Sequence, residues 1–478
     1  MAVVSERFLS FAVDLDQVVG GTFWDPTGGT EQVPVEPYDF SRPRLRALTA
    51  ALAPAYLRLG GSAADRIFYD LSEAPAEPPQ RFSLVLTKAQ FDAASQFATE
   101  LGLGLIFTIN AGPGPRDGTG RWDPRNAEEL LSYALSRGYP FAALEFGNEP
   151  NLFAVRAGIA GYSAQEYARD LTIFGELRDR VAPGIPILAA GNVYMRTQGE
   201  NVFGNFVFGP RMTEILPLVG GSIEGVNYHY YGAVSTRCPP SGPRVTIESA
   251  LDPDYLDGID EAAAAVDALR DQYSPGRPVW LTETGGQSCG GQVGVADRFA
   301  NTFWYLNTLA RLARRGHFVV VRQTLSGSTY GLIDDVSLRP RPDYWATFLW
   351  RRLMGTRVLE PPLISAAVPA RIYAHCQHNG PAGGVTLLVL NLSREGPLTL
   401  RVADLGLQPP ANVYLASSTD LASHELHLNG EPLSVATDGA PPEPTPLVLN
   451  GPTVTLPATS WAFVVFPEAR VASCLDNR

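Results

Sequence analysis

Eight short apolar segments, rich in β-branched and aromatic residues, alternate with longer segments of helical periodicity through residues 1–355. Strands that are apolar along their whole length are typical of a parallel sheet covered by helices. Eight strand–helix units predict a closed (β/α)8 TIM barrel of the α/β class. The predicted strands are Arg7–Asp14, Tyr56–Gly60, Gly104–Ile109, Phe141–Phe146, Ile185–Ala189, Gly225–His229, Pro278–Thr282 and Phe318–Gln323.

Helices are predicted after the strands, except that an apolar, glycine-rich stretch at 203–208 interrupts the pattern after the fifth strand. An open, doubly wound sheet is the alternative fold, but its first strand normally leads into a glycine-rich phosphate-binding turn. Here the first strand leads into Asp14-Leu15-Asp16-Gln17 instead. The predicted helices are Arg42–Leu52, Lys88–Leu101, Arg125–Ser136, Ala164–Arg180, Ile259–Gln272, Ala296–Arg315 and Asp343–Leu353.

After Leu359 the helical periodicity ends at Pro361 and Pro362, and short alternating segments follow. Turn signals about every 8–12 residues are typical of an antiparallel β-sandwich. We therefore expect two domains: a barrel over residues 1–357, whose first few residues could join the second domain, and a C-terminal antiparallel β-sandwich domain over residues 358–478. The predicted sandwich strands are Arg371–Cys376, Val385–Asn391, Leu398–Val402, Asn412–Ala416 and Trp461–Phe466.

Composition and charge exclude several classes of partner. The formal net charge of −12 argues against nucleic acid or an anionic membrane, and no run of apolar residues is long enough to predict a membrane span. No histidine–cysteine cluster has zinc spacing, so no metal is expected. Four cysteines leave two alternatives open, either four free thiols or two disulfides. The disulfides would join Cys238 to Cys289 and Cys376 to Cys474.

Two glutamates end predicted strands on opposite sides of the barrel. Glu149 follows the fourth strand in Glu-Phe-Gly-Asn-Glu-Pro-Asn, and Glu283 ends the seventh in Trp-Leu-Thr-Glu-Thr. Reactive residues of a TIM barrel lie at the carboxyl ends of its strands, and glycoside cleavage needs two facing carboxyls, a proton donor and a nucleophile. Asn148, beside Glu149, could bond a sugar 2-hydroxyl. Further candidates for sugar hydroxyls at strand ends are Asp14, Asn110 and Gln323.

These motifs resemble those of the heparanase-type enzymes of glycoside hydrolase family 79, in clan A. Gly-Asn-Glu-Pro-Asn at 147–151 and Val-Trp-Leu-Thr-Glu-Thr at 279–284 are similar to the acid/base and nucleophile motifs, and the resemblance covers nearly the whole chain. It implies a retaining hydrolysis with Glu149 as general acid/base and Glu283 as nucleophile, their carboxyl groups about 5–5.5 Å apart. It also implies that Tyr230, at the end of the sixth strand, bonds and orients Glu283.

The resemblance further implies a substrate with glucuronate at the cleavage site. Members of the family bind the glucuronate carboxylate through a tyrosine hydroxyl and the backbone amides of a glycine-rich loop. Tyr330, in Ser-Thr-Tyr-Gly at 328–331, and Gly290 and Gly291 after Cys289 match these groups. Glycines let several N–H groups converge on a carboxylate. No cofactor is expected, since carboxylates alone perform this chemistry.

The chain departs from the vertebrate enzymes of the family in two places. It has Gly61-Ser62-Ala63-Ala64 where they carry lysines of a heparin-binding surface, and it lacks their long excised linker after Arg81. These differences and the lysine-poor composition indicate a bacterial relative, for which binding of highly sulfated heparan does not follow. Loop arginines that could still bind sulfates are Arg116, Arg121, Arg196, Arg211 and Arg237.

The resemblance also bears on the cysteines. Cys376 and Cys474 match two cysteines that pair in the family's sandwich. Cys238 and Cys289 lie in the loops after the sixth and seventh predicted strands, and because these loops are neighbours we expect the two cysteines to pair. Disulfides favour an exported protein. Residues 1–6 lack the features of a signal peptide, so we expect a secreted or periplasmic protein whose signal is absent from this sequence.

The leading interpretation is an endo-β-glucuronidase acting on heparan sulfate or another glucuronate-containing polysaccharide or oligosaccharide. An exo-β-glucuronidase that releases terminal glucuronate is the first alternative. The loops at 193–209 and 112–120 would decide between endo and exo action, since they could either close one end of the cleft or leave it open to a longer chain. A non-catalytic glycan-binding protein is the second alternative. It predicts loss of Glu149, Glu283 or Asn148, and all three are present. We expect a monomer that binds neither nucleic acid nor membrane.

Overall fold

The computed structural model describes residues 2–201, 206, 208–238, 242–361 and 368–475. Its centre is a closed parallel barrel, in which each strand pairs with the next and the eighth returns to the first, with Val320 beside Leu9. The predicted TIM barrel is thus confirmed. The barrel strands are β1 Leu9–Asp14, β2 Tyr56–Gly60, β3 Gly104–Ile109, β4 Phe141–Phe146, β5 Ile187–Met195, β6 Gly225–Val234, β7 Val279–Ser288 and β8 Val319–Arg322.

Three barrel strands are longer than their apolar segments predict. β5, β6 and β7 continue to Met195, Val234 and Ser288, with the added residues still paired to the neighbouring strand. The extensions are rich in polar, aromatic and small residues, so hydrophobicity alone underestimates them. They raise one wall of the barrel mouth, and all three terminal residues line the cleft there.

Helices surround the barrel, most within a few residues of the predicted bounds. Capping boxes start two of them, at Thr87 and at Ser163. In the stretch at 203–208, residues 203–205 and 207 lie outside the described residues. The helices are Leu15–Val19, Pro43–Ala50, Lys88–Glu100, Arg125–Ser136, Phe153–Arg156, Ala164–Val181, Met212–Val219, Pro253–Leu256, Ile259–Tyr273, Phe299–Arg315 and Pro342–Leu353, with 3-10 turns at Ser62–Arg66, Pro150–Leu152, Gly220–Ser222, Val402–Leu405 and Ala472–Cys474.

Two short strand pairs add to the barrel mouth and were not predicted. A hairpin of Thr22–Trp24 and Gln32–Pro34 follows β1, and Ile67–Asp70 pairs with Leu84–Thr87 after β2. Each of these strands has only three or four residues, too few to show a period in the sequence.

An antiparallel sheet follows the barrel. Within the described residues it has nine strands, and Ala2–Val3 from the start of the chain pairs with its strand Met354–Leu359. The boundary predicted between residues 357 and 358 therefore falls inside a strand, and Pro362 lies outside the described residues. A separate ribbon joins Leu398–Arg401 to Thr453–Leu456. The other strands of the sheet are Ala370–Gln377, Val385–Asn391, Ala411–Ser417, His427–Leu428, Glu431–Pro432, Leu447–Leu449 and Ser460–Phe466.

The sheet is buried on both faces. On one face Leu387 clusters with Leu398 of the ribbon. On the other face Trp461 belongs to the same apolar core as the barrel, and its Nε1 donates to Thr302 Oγ1 at 2.9 Å. Because burial of apolar surface is the main favourable term in folding, this shared core fixes the sheet against the barrel.

Both expected disulfides are present. Cys376–Cys474 ties a sheet strand to the last 3-10 turn, with Cα atoms 5.4 Å apart, and Cys238–Cys289 joins the loops after β6 and β7, with Cα atoms 5.8 Å apart. Among the helices of the described chain, none combines the length and the apolar character that crossing a membrane requires.

Candidate active site

Glu149 and Glu283 face each other at the carboxyl-terminal mouth of the barrel. Glu149 follows β4 with a left-handed backbone (φ 53°), a costly conformation for a residue with a Cβ and one that clusters at functional sites. One carboxylate oxygen of each glutamate and a ring nitrogen of His229 all lie within 4.8 Å of one another. Both glutamates are buried and line the same cleft. Their carboxylates are close enough to act on one bond.

Donors hold both carboxylate oxygens of Glu283. The Tyr231 hydroxyl donates to Oε1 at 2.7 Å, and Arg58 Nη1 donates to Oε2 at 2.8 Å. Burial by itself raises the pKa of Glu283, but the charge of Arg58 and the bonds from Arg58 and Tyr231 outweigh it and hold the pKa below its usual value. Glu283 is thus ionised and oriented, as a nucleophilic carboxylate must be.

Glu149 has one bonded and one unbonded carboxylate oxygen. His229 Nε2 lies 3.3 Å from Arg58 Nη2, and because a guanidinium only donates, Nε2 accepts. The imidazole proton is then on Nδ1, which donates to Glu149 Oε1 at 3.1 Å. Glu149 Oε2 has no hydrogen-bond partner among the described residues. Since Glu149 lines the cleft, this oxygen is available to a substrate.

Arg58 organises the floor of the site from the middle of β2. Its side chain is fully buried, and a buried guanidinium requires partners for its N–H groups. It donates to the side chains of Glu145, Asn148 and Glu283 at 2.8–2.9 Å and also to His229. No role was predicted for Arg58 from the sequence. The signal that could have found it is a charged residue inside an otherwise apolar predicted strand.

Glu145 in β4 is the second carboxylate paired with Arg58. It also accepts from Thr108 Oγ1 at 2.6 Å and from Asn227 Nδ2 at 2.8 Å. Burial raises the pKa of Glu145, but the charge of Arg58 and the bond from Thr108 outweigh burial and lower it. Both of its oxygens are used inside the barrel, so Glu145 orients and neutralises Arg58 without reaching the cleft.

Asn148 is fixed in one amide orientation. Because Arg58 can only donate, Asn148 Oδ1 accepts its bond at 2.9 Å and Nδ2 is left to donate into the cleft that Asn148 lines. The backbone N–H of Asn148 donates to Asp65 Oδ2 at 2.8 Å, and that of Ala111 donates to Oδ1 at 2.9 Å. Burial raises the pKa of Asp65 to about 7. This carboxyl ties together the ends of β3 and β4.

Tyr230 does not contact Glu283, so the prediction for this residue was wrong; its neighbour Tyr231 makes the contact. Successive side chains of a strand point to opposite faces, so His229 and Tyr231 point into the barrel while Tyr230 points out of it. There the Tyr230 hydroxyl is buried without a hydrogen-bond partner in the described part of the chain, near Gly258. The error is one of register, since adjacent tyrosines cannot be told apart by type and β6 shifts against β7 beside His229.

Three predicted substrate-binding residues cluster beside Glu283. Gln323 Nε2 donates to Asp14 Oδ1 at 2.9 Å and lies 3.4 Å from the Tyr330 hydroxyl, and all three residues line the cleft. Burial, with the charge of Glu283, raises the pKa of Asp14 well above its ordinary value, which favours a protonated carboxyl able to donate. Burial also raises the pKa of Tyr330. The cluster offers a carboxyl, an amide and a phenol to one ligand.

The glycine loop after β7 presents fewer amides than predicted. Gly290 and Gly291 have positive φ angles of 77° and 85°, which a residue with a Cβ rarely adopts. Gly291 N–H donates to the Ser288 carbonyl at 3.2 Å and is used within the turn. Gly290 N–H has no acceptor among the residues that the structure describes. From this loop, Ser288 and Cys289 line the cleft.

Asn110 does not line the cleft, contrary to the prediction. Its Nδ2 donates to the Ile67 carbonyl at 2.8 Å, and its Oδ1 accepts from Gly112 N–H at 2.7 Å. Both ends of the amide are therefore used to hold neighbouring backbone. Asn110 shapes the barrel mouth and is not available to a sugar.

Loop residues that the sequence analysis did not single out complete the cleft, which encloses about 230 Å³. The hairpin after β1 contributes Trp24 and Gln32, the 3-10 turn after β2 contributes Arg66, and the short helix Phe153–Arg156 contributes Arg156. Arg66 lies 3.5 Å from Asp16, whose pKa burial raises to about 6 despite that arginine. The path of such loops is not encoded in hydrophobic periodicity, and no sequence signal identified these residues.

Glu149, His229 and Glu283 together have the composition of a metal site. However, Glu283 Oε2 already accepts from Arg58, and a guanidinium bonded to a ligand oxygen repels a divalent cation. His229 Nδ1 carries the proton that it donates to Glu149. These residues therefore fit acid–base and nucleophilic chemistry and do not fit a metal.

Comparisons with known proteins identify the family. A family model for glycosyl hydrolase family 79, N-terminal domain, matches residues 32–310. Heparanase-like protein 1 of Arabidopsis thaliana is 29 % identical over 497 residues, covering 91 % of this chain and 86 % of that protein. Heparanase of Gallus gallus is 29 % identical over 492 residues, covering 91 % of this chain and 89 % of that protein.

Solved structures show the same fold. The structure of a 4-O-α-L-rhamnosyl-β-D-glucuronidase from Fusarium oxysporum 12S superposes with a TM-score of 0.65 at 15 % identity, covering 97 % of this chain and 96 % of that chain. At this identity the likeness concerns the fold alone. The match to the family model, by contrast, extends over more than half of the sequence. The chain therefore belongs to glycoside hydrolase family 79.

Proposed function

We propose that this protein is a retaining β-D-glucuronidase that cleaves glucuronate-containing glycans within their chains, as a heparanase-like endo-β-glucuronidase. The proposal rests first on Glu149 and Glu283, which each bring a carboxylate oxygen to within 4.8 Å of the other. Retaining glycosidases hold these groups about 5–5.5 Å apart, whereas inverting ones leave about 6.5–9.5 Å for a water molecule. The short separation supports direct attack by a carboxylate.

In the first step Glu149 donates its proton to the glycosidic oxygen while Glu283 attacks the anomeric carbon. The bond to the leaving sugar breaks as the bond to Glu283 forms, and the leaving sugar departs as an alcohol. In the second step Glu149, now a carboxylate, takes a proton from water, which displaces Glu283 with the original configuration restored. Arg58 and Tyr231 stabilise the charge on Glu283 before attack and again as it leaves.

The preference for glucuronate is inferred from the groups beside Glu283. The Tyr330 hydroxyl and the Gly290 N–H are neutral donors that could bind a carboxylate, and Asn148 Nδ2 could bond the 2-hydroxyl. Asp14 and Gln323 remain for other hydroxyls. The names of the curated relatives support this assignment, since they include a heparanase and a heparanase-like protein.

Endo action is favoured by the position of the loop at 112–120. In the described part of the chain none of its residues lines the cleft. Arg116 fixes the loop in place, donating to the Gly112 carbonyl and pairing with Asp170. Arg66 and Arg156 in the cleft suit a polyanion that continues past the cleaved bond. The other candidate wall, at 193–209, contributes Val193 and Met195 to the cleft, and its residues 202–205 and 207 lie outside the described residues.

We also infer that the protein is exported. The disulfides Cys238–Cys289 and Cys376–Cys474 suit an oxidising compartment, either the extracellular space or a periplasm. All the groups that the proposed reaction uses come from one chain, so the site requires no second subunit.

The test is time-resolved sizing of the products from under-sulfated heparan sulfate, with 4-nitrophenyl β-D-glucuronide in parallel. Rapid shortening of long chains is expected, abolished in Glu283→Gln and unchanged in Glu129→Gln, an equivalent change at an exposed residue. Early proton NMR spectra should show the β anomer as the first product. Release of free glucuronate from chains of constant length would establish exo action instead. Activity on neither substrate would contradict the proposed specificity.

A further inference from the structure

Arg237 is a buried cation without an acidic partner. It lies in the loop after β6 and is 8 % exposed. Its Nη1 donates to Ser328 Oγ at 2.6 Å, but its Nε and Nη2 are buried without a hydrogen-bond partner, and no carboxylate in the described chain forms an ion pair with it. A buried charge left in this state lowers the free energy of unfolding. Stability therefore does not account for Arg237.

Arg237 lies directly behind the glycine loop of the cleft. A Cβ placed on Gly290 would lie 2.6 Å from Arg237 Nη1. Ser328 Oγ, which accepts from Arg237, donates in turn to the Gly290 carbonyl at 3.0 Å. The next residue, Cys238, lines the cleft and is bonded to Cys289 of the same loop. The disulfide thus fixes the guanidinium one layer behind the cleft wall.

The charge of Arg237 is not cancelled nearby. The acids that influence it, Asp25 and Asp297, form no hydrogen bond with it. An arginine stays protonated in proteins. Electrostatic interactions extend over several ångströms where water is excluded, so the positive charge acts through the loop on the space beside Tyr330.

An anionic ligand needs such a charge in this cleft. Glu283 lines it as a carboxylate and would repel a sugar carboxylate. Arg58, at the floor, is already paired with Glu145 and Glu283. Near the glycine loop, Arg237 is therefore the buried cation whose charge remains uncompensated within the described residues.

We propose that Arg237 determines the preference of the cleft for a sugar that bears a carboxylate, because its uncompensated charge lies behind Cys289 and Tyr330, which line the cleft. This inference rests on the proposed β-glucuronidase function. Arg237 attracts the carboxylate without touching it and acts as a positioning residue. Its loss changes the choice between a charged and a neutral sugar, whereas a purely structural role would affect both substrates alike.

The test compares kcat/KM for 4-nitrophenyl β-D-glucuronide with kcat/KM for 4-nitrophenyl β-D-glucoside. Arg237→Met removes the charge at similar length, Arg237→Lys keeps the charge, and Arg125→Met removes a charge from a side chain that is 84 % exposed. We expect the ratio of glucuronide to glucoside to fall on the order of tenfold in Arg237→Met. The ratio should be largely restored in Arg237→Lys and unchanged in Arg125→Met.

An unchanged ratio in Arg237→Met, with wild-type preference for the glucuronide, overturns this inference and leaves the proposed function intact. A wild-type enzyme without that preference overturns the proposed function and this inference with it. If thermal unfolding shows that Arg237→Met is not folded, inhibition by D-glucuronate and by D-glucose is compared in wild type and Arg237→Gln. Retention of the wild-type preference for glucuronate in that variant also overturns the inference.

Discussion

Tyr230 and Tyr231 are adjacent in the chain but project to opposite sides of β6, and of the two Tyr231 donates to Glu283, at 2.7 Å. The hydroxyl of Tyr230 has no partner in the described residues. Strand alternation causes this difference. The chain therefore contains its own control for the contribution of a tyrosine hydroxyl to the reaction.

Tyr231→Phe should lower kcat/KM about 10- to 100-fold, because a hydrogen bond to a charged group contributes about 1.5–3 kcal/mol. Loss of the donor raises the pKa of Glu283, so the acidic limb of the pH profile should move to higher pH. Tyr230→Phe should leave both quantities unchanged. Profiles of kcat/KM against pH for the two variants check this, and equal losses in both would contradict the assignment of Tyr231.

Arg58→Met should destabilise the protein by about 3–5 kcal/mol, since it leaves two buried carboxylates without a cation. Activity should be lost as well. Glu145→Gln in the same chain removes one of those charges and should recover part of the stability, without recovering activity. Urea unfolding and kcat/KM of the single and double variants measure both effects. A single variant as stable as wild type would refute the role of Arg58.

Azide should distinguish the roles of the two glutamates. In Glu149→Ala, 4-nitrophenyl β-D-glucuronide still forms the glycosyl-enzyme because its leaving group needs little protonation, and azide then gives the β-glucuronosyl azide. In Glu283→Ala, azide attacks the opposite face and gives the α product. NMR spectra of the products assign the anomers. The same anomer from both variants would rule out the assignment of Glu149 as general acid/base and Glu283 as nucleophile.

Acid should weaken the fold through two buried histidines. Burial lowers the pKa of His317 to about 3 and that of His375 to about 4, whereas both titrate near about 6.5 when unfolded. Below that pH the unfolded chain binds more protons, so the free energy of unfolding falls as pH falls, by up to about 1.4 kcal/mol per pH unit for each histidine.

Urea unfolding between about pH 7 and pH 5 measures this slope. His375→Gln should reduce the slope. His424→Gln, at a side chain that is 59 % exposed, should leave it unchanged. An identical slope in wild type and His375→Gln would show that His375 contributes nothing to acid sensitivity.

The two disulfides should differ in what they affect. They close loops with sequence separations of 51 and 98 residues, for which chain entropy gives about 4 and about 5 kcal/mol of stabilisation. Replacing either pair by serines should lower Tm to a similar extent. Cys238 and Cys289 line the cleft, so KM should rise only when this pair is lost. Steady-state kinetics and thermal unfolding separate the two effects, and a KM increase for the pair at 376 and 474 would count against this view.

Much of the fold could be predicted because the barrel strands are buried on both faces. β3, from Gly104 to Ile109, is buried along its whole length and is followed by the polar Asn110, and its bounds agree with the prediction. The bounds of β6 and β7 do not agree with the prediction, because the last residues of these strands lie at the cleft and not in an apolar core. A strand's end can be recognised from hydrophobicity only where burial ends with it.

The site was partly predictable for a related reason. Glu149 and Glu283 belong to two strand ends, and barrel topology alone brings strand ends together. The roles of Arg58 and His229 depend on which face of a strand each side chain occupies and on contacts between strands distant in sequence. Asn110 ends a strand too, but the backbone around it uses up its amide. No local sequence pattern indicates that the Asn110 amide is hydrogen-bonded to the backbone.

The pairing of Ala2–Val3 with Met354–Leu359 sets the order in which this protein can be completed during synthesis. A ribosome adds about 5–20 residues per second, so the first strand waits on the order of 20–70 s for its partner. The seam between β1 and β8 stays open for almost as long. Until then the nascent chain carries unpaired strand edges at Ala2–Val3 and at β1. Translation speed and early chaperone contact should therefore affect the yield of this protein more than that of one whose first strands pair locally.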